Sequence, residues 1–144
     1  MSRNSRIVTA SPEQVWDVLC DGWLYPLWVV GASRMRNVDA TWPAPGSQLH
    51  HSVGVWPALI DDSTEVLEEH PVSHLRLKAR GWPAGAAEVN IHLERIAEGT
   101  RIVIEEDVVE GPGRLVPSFL RQPPLAWRNV ETLRRLAFVV ENRE

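Results

Sequence analysis

Two adjacent histidines, a run of acids and several spread tryptophans are the residues of this chain with chemistry to offer. His50 and His51 stand side by side in QLHHSVGVW, residues 48–56. A neutral imidazole gives or takes a proton near neutral pH, so either ring can orient a ligand or work as acid or base. On a strand the two rings point to opposite faces, and pattern alone leaves open which one faces inward. They cannot easily ligate one ion together, and no third ligand stands at useful spacing, so no metal site is expected. In RIVIEEDVV, residues 101–109, a period of two that turns Ile102 and Ile104 inward also turns Glu106 and Val108 inward. Arg101, Val103, Glu105 and Asp107 then face out. A carboxyl facing an apolar cavity is fitted for proton transfer or for holding a ligand hydroxyl. The plainer alternative sets Glu106 near a rim, paired with an arginine or wetted by solvent. Glu106 and His51 are the candidate catalytic pair, and nothing in the spacing demonstrates that they meet.

Other polar and aromatic candidates surround these. Asn129 offers an amide from a helix, against the alternative of a local hydrogen bond at that helix's surface. Asp62 shares parity with Thr64 and Val66 and so can turn inward, although Asp61 and Asp62 also suit a solvated strand end. Trp28, Trp56 and Trp82 each lie near a gate or a strand end, where an indole can line a cavity and still satisfy its N–H; core packing is the other use. Glycine-rich phosphate loops, a GxSxG elbow and HExxH are absent from the sequence.

The elements that must position these groups follow from periodicity and turn chemistry. Residues 3–10 read as a first strand with Ile7 and Val8 as its apolar content. Ser11, Pro12 and Gln14 combine an N-cap, a proline at the first helical position and a capping-box partner, so a helix starts there, with Val15, Trp16, Val18 and Leu19 as core contacts. A second short helix fits Trp23 to Val30. Strands are expected over 33–40, 48–56, 59–69, 74–80, 86–96 and 101–109, with an irregularity around Asp61 and Asp62. Leu75, Leu77 and Ala79 alternate with Arg76, Lys78 and Arg80, and the basic face can lie opposite Glu88 and Glu94 of the next strand. Pro117, Pro123 and Pro124 interrupt the last segment, which places the start of its regular helix near Pro124. Val130, Leu133, Leu136, Ala137 and Val140 form the apolar stripe of that helix, with Arg128, Glu131, Arg134, Arg135 and Glu141 on the other side. A stripe of this kind needs a partner surface, and one face of a curved antiparallel sheet supplies it. Leu133 then walls whatever space lies between helix and sheet.

Composition narrows the function classes. The 144 residues suit one domain, 1–144, with its own core. A net charge of −4 argues against a general phosphate-binding surface, and hence against nucleic acid. No apolar run approaches a membrane span, and MSRNSR lacks the apolar region of a secretory signal, so a cytoplasmic location is the expectation. Cys20 is the sole cysteine and reads as a buried structural thiol.

The order strand, two short helices, six strands and a long C-terminal helix resembles the helix-grip fold of the START-like (SRPBCC) superfamily, in its polyketide cyclase/dehydrase-like branch. TASPEQVWDVL, PGSQLHHSVGVWP, STEVLEEHP, GTRIVIEEDVVEGP and RNVETLRRLA carry the resemblance, which covers almost the whole chain. It implies an α+β fold in which a curved seven-stranded antiparallel sheet grips the last helix around a largely apolar cavity. The same fold serves carriers, receptors, aromatase/cyclases and proteins with no reaction, so it does not choose a function. The leading expectation is a cofactor-free protein that binds a small hydrophobic or aromatic molecule, with Glu106, one histidine and Asn129 orienting it. An aromatase/cyclase-like enzyme acting on a polyketide-like substrate is the alternative, and an interaction protein with a filled cavity is the third. Oligomeric state is left open, a homodimer included.

Overall fold

Strand β1 (Ser2–Val8) leads into helix α1 (Pro12–Cys20), a 3-10 turn (Gly22–Leu24) and helix α2 (Tyr25–Trp28). Strands β2 (Ala32–Val38), β3 (Gln48–Val53), β4 (Ile60–His70), β5 (His74–Gly81), β6 (Gly85–Ile96) and β7 (Gly99–Glu110) follow, and helix α3 (Ser118–Asn142) closes the chain. This computed structural model describes residues 2–29, 32–53, 60–81, 85–111, 115 and 117–142. The strands form one sheet in the order β1-β7-β6-β5-β4-β3-β2, with every neighbouring pair antiparallel. The result is the α+β helix-grip architecture predicted above. Because β1 pairs with the last strand while β2 lies at the far edge, α1 and α2 carry the chain across one end of the sheet.

Local chemistry explains the first helix. Ser11 Oγ accepts from Gln14 N at 3.2 Å and Gln14 Oε1 accepts from Ser11 N at 2.8 Å, the reciprocal capping box read in the sequence. Val15, Trp16, Val18 and Leu19 are buried as expected. Cys20 is only partly covered, and burial still pushes its thiol up to about 11. Inward-facing Leu49, Val66, Leu75, Leu77, Ile91, Ile102 and Ile104 join these residues and the α3 stripe in one core. On the outer face, Arg76 bonds both Glu88 and Glu68, the cross-strand charge pairing anticipated for β5 and β6.

Several expectations are corrected. Helix α3 begins at Ser118, so Pro123 and Pro124 lie within it; two i→i−4 bonds are forgone and the helix continues, which the proline rule did not anticipate. Val130 is 53% exposed, while Asn129 and Thr132 are buried. The buried stripe is centred on residues 129, 133, 136 and 140, and Val130 sits one step past its edge. Ile7 is exposed because period two gives the inward place to Val8. Val103 faces the outer side yet is buried; β7 lies between β1 and β6, with Ser5 and His92 as its register neighbours. The irregularity in β4 falls between Val66 and Glu68, not at Asp61 and Asp62. There Val66 N donates to Ser47 O and Val66 O accepts from Gly46 N, so the loop before β3 takes up the backbone.

Candidate functional site

A polar cluster is built into the core by five elements, α2, β3, β4, β7 and α3. On β7, period two brings Glu106 to the same face as Ile102 and Ile104, and its carboxylate is 1% exposed. A buried carboxylate demands a cation. Arg128 supplies it from α3, its Nη2 bonded to Glu106 Oε2 while its side chain keeps 38% exposure. The sequence reading put Arg128 on the polar side of the helix. It stands at the flank of the stripe, and its long side chain reaches the sheet.

On β3 the choice of face is made by Leu49, fully buried, which turns His51 inward and His50 outward. His50 Nε2 contacts Asp39 Oδ1 at 3.0 Å, so the two histidines occupy different surroundings. His51 Nε2 bonds Thr64 Oγ1 at 2.9 Å across the β3–β4 pair. Tyr25 OH lies 3.2 Å from the same Thr64 oxygen, and the Tyr25 ring stacks on His51 with centroids 5.4 Å apart. Trp28 meets Tyr25 edge-on at 5.3 Å, one helical turn along α2.

Electrostatics fix the protonation of two of these groups. Desolvation lowers the His51 pKa, opposed by Asp62 and reinforced by Arg36 and His50, so the imidazole is neutral at neutral pH. Desolvation raises the Tyr25 pKa, and the phenol also feels the charges of Arg128 and Glu106. Tyr25 therefore links the β3–β4 side of the cluster electrostatically to the β7–α3 side. Either Tyr25 OH or Thr64 Oγ1 can donate in their bond, and the His51 tautomer follows that choice: the ring proton sits on Nδ1 when Thr64 donates to Nε2, and on Nε2 when Thr64 accepts from it.

Four buried side-chain polar atoms have no hydrogen-bond partner among the described residues: Trp28 Nε1, His51 Nδ1, Glu106 Oε1 and Asn129 Nδ2. Each belongs to a residue singled out from the sequence. Buried polar atoms are nearly always paired, so each of the four calls for a partner that the described residues do not supply. Trp28 Nε1 and Asn129 Nδ2 are donors, Glu106 Oε1 is an acceptor, and His51 Nδ1 is one or the other according to its tautomer.

The remaining candidates are placed as follows. Leu133 is buried one turn along α3 from Asn129. Asp62 is the register partner of His51, hence on the inward side of β4, and is partly covered. Trp56 and Trp82 lie outside the described residues. Sequence reasoning missed Tyr25, Thr64 and Arg128. The parity that pointed to Asp62 points equally to Thr64, and a buried Glu106 itself signals a nearby arginine. Outside this cluster, a cleft of about 440 Å³ opens between α1, the 3-10 turn and the end of β2, lined by Cys20, Trp23, Val38 and Trp42 among others. It shares no residue with the buried polar cluster.

Comparison with known proteins places this geometry. A sequence search against curated proteins finds no match. Among solved structures, a Rhodobacter sphaeroides protein aligns over 99% of this chain and 92% of its own, with TM-score 0.74 and 21% identity. Protein NE0264 from Nitrosomonas europaea aligns over 96% and 92%, with TM-score 0.74 and 18% identity. DynU16, a protein of the dynemicin biosynthetic locus, matches 98% of this chain over 47% of its own, with TM-score 0.70 and 21% identity. Identities this low establish the shared fold alone. The family model described as polyketide cyclase / dehydrase and lipid transport matches residues 2–141. Fold and family model agree, and the chain belongs to the polyketide cyclase / dehydrase and lipid transport family.

Proposed function

We propose that the protein binds a small, largely apolar molecule bearing oxygen atoms, of the hydroxylated aromatic or polyketone kind, between the sheet and α3. The observation that carries this reading is the set of four buried, partnerless polar atoms on Trp28, His51, Glu106 and Asn129. The two donors, Trp28 Nε1 and Asn129 Nδ2, suit carbonyl or phenolate oxygens, Glu106 Oε1 suits one hydroxyl, and His51 Nδ1 suits either kind according to its tautomer. Apolar contact along Leu133 and the aromatic rings of Tyr25 and Trp28 supplies the rest of the affinity. The family's description, which joins cyclase/dehydrase chemistry to lipid transport, is compatible with such a ligand. No cofactor is needed for this role.

The test replaces Glu106 with Gln and titrates parent and variant with hydroxylated naphthalenes and anthraquinones by calorimetry. Loss of a charge-assisted hydrogen bond weakens binding of a hydroxyl-bearing probe by roughly tenfold, with little change for a probe lacking that hydroxyl. Equal affinity of both proteins for the full set removes Glu106 from the account.

A second reading, an aromatase/cyclase-like enzyme, is favoured by the Tyr25–Thr64–His51 chain, which can pass a proton by reversing its hydrogen bonds. In that case Glu106→Gln or His51→Gln lowers turnover of a poly-β-ketone probe while leaving its affinity largely intact.

A further inference from the structure

On the sheet face opposite the core, three imidazoles form a row across three strands. His70 and His74 are the closing pair of the β4–β5 hairpin, and His92 is the β6 partner of His74. Their rings are nearly parallel, with centroids 5.6 Å apart for His70–His74 and 4.3 Å for His74–His92. The turn beneath them is fixed: Ser73 N and Ser73 Oγ both donate to His70 O, and Leu93 N donates to Ser73 O.

Glu68 stands two residues before His70 on the same face of β4. One ligand atom from each of Glu68, His70 and His74 lies within 4.8 Å of the other two. Ligands bound to a tetrahedral ion at about 2.1 Å are roughly 3.4 Å apart, and imidazole lone pairs lie in the ring plane, so binding requires the parallel His70 and His74 rings to turn out of their stack towards a common point. Solvent exposure of His70 (61%) and Glu68 (46%) gives those two side chains room to turn.

Neighbouring side chains already orient two of the ligands. Arg76 Nη1 holds Glu68 Oε1 at 2.8 Å, while Glu68 Oε2 lies 3.5 Å from His70 Nε2. Asn90 Oδ1 accepts from His74 Nε2 at 2.8 Å, which leaves Nδ1 as the lone pair of that ring. Outer partners of this kind are what set ligand orientation and tautomer in metal sites. Two imidazoles and a carboxylate select a borderline divalent ion over Mg2+ or Ca2+, which prefer oxygen alone.

We propose that Glu68, His70 and His74 form a surface site for a divalent transition-metal ion of the Zn2+, Ni2+ or Cu2+ class, clamping the β4–β5 hairpin. The spacing of His50 and His51 predicts no metal site, whereas the β4–β5 register brings His74 beside Glu68 and His70 from a separate strand. Solvent exposure leaves at least one coordination position open to water.

The site is tested on tag-free, chelator-stripped protein titrated with Zn2+ by calorimetry, with melting temperature followed in parallel. One saturable site per chain and a rise in melting temperature are expected. His70→Ala should weaken binding by at least about tenfold, since even outer-shell partners are worth that much, and Glu68→Gln should weaken it to a smaller degree. His50→Ala should leave it unchanged. No saturable binding by the parent, unaltered affinity in both His70→Ala and Glu68→Gln, or loss in His50→Ala instead would overturn the assignment.

Discussion

Burying a carboxylate on β7 obliges the fold to place a cation beside it, and the Glu106–Arg128 pair is where residue-level energetics and site chemistry meet. Arg128→Met leaves Glu106 buried with an uncompensated charge, at a cost of roughly 3 kcal/mol, the low end for buried pairs because Arg128 keeps contact with water. Adding Glu106→Leu to Arg128→Met should recover most of that loss in urea unfolding. A single variant as stable as the parent would contradict the pairing. His51 gives a separate signature in pH. Its folded pKa is lowered, so the unfolded chain takes up the proton first, and stability is lost as pH falls below about 6.5 toward the depressed folded value. Unfolding free energy between pH 7.5 and 5.5 should therefore fall less steeply in His51→Gln than in the parent; parallel curves would contradict it. Carboxylates with lowered pKa, such as Glu131, held at about 2 by Arg134 and Arg135, titrate below that window. Inward placement of Glu106 was legible because a period of two carries the face of Ile102 and Ile104 on to residue 106, and all three are buried. Which histidine faces in was not, because β3 offers apolar residues on both faces and only tertiary packing of Leu49 decides.

Elements hold the site through contacts that sequence periodicity does not record. The β6–β7 turn is pressed against the end of β1: Thr100 Oγ1 donates to Ala10 O at 2.8 Å, and a Cβ on Gly99 would stand 2.3 Å from the Val8 carbonyl oxygen. Gly99 also has φ +140, so both backbone shape and space exclude a side chain. Gly99→Ala should destabilise the protein by roughly 2–3 kcal/mol in thermal or denaturant unfolding. A change within experimental error would mean that β1 does not close on this turn. Helix α3 is tied to the same edge, with Thr9 N and Oγ1 both donating to Glu141 Oε2 at 2.9 and 2.8 Å. The capping box of α1 was readable from four residues because it is a local motif. The front of α3 was not, since two prolines argue locally for a break and the observed continuation is decided beyond the local sequence. Arg128 was misplaced for a related reason: helical spacing gives a residue's angle, not the reach of its side chain.

At the scale of the molecule, the order of strands and helices was legible because the boundaries before α3 carry turn or cap signals, and that order fixes the helix-grip topology. The polar cluster inside it draws on residues from 25 to 129, a juxtaposition only the folded sheet and helices create. No described helix is long and apolar enough to cross a membrane. The central claim is that the partnerless donors and acceptor inside the fold receive a small oxygen-bearing molecule. It is tested most directly by native mass spectrometry of freshly purified protein, followed by a thermal-shift series with hydroxylated aromatics and fatty acids. The account predicts a retained or added small molecule at one per chain, and a melting temperature that rises with hydroxylated aromatics, since a ligand specific to the native state must stabilise it. A clean unliganded mass with no shift across the series would contradict it and favour a filled interior serving protein interaction.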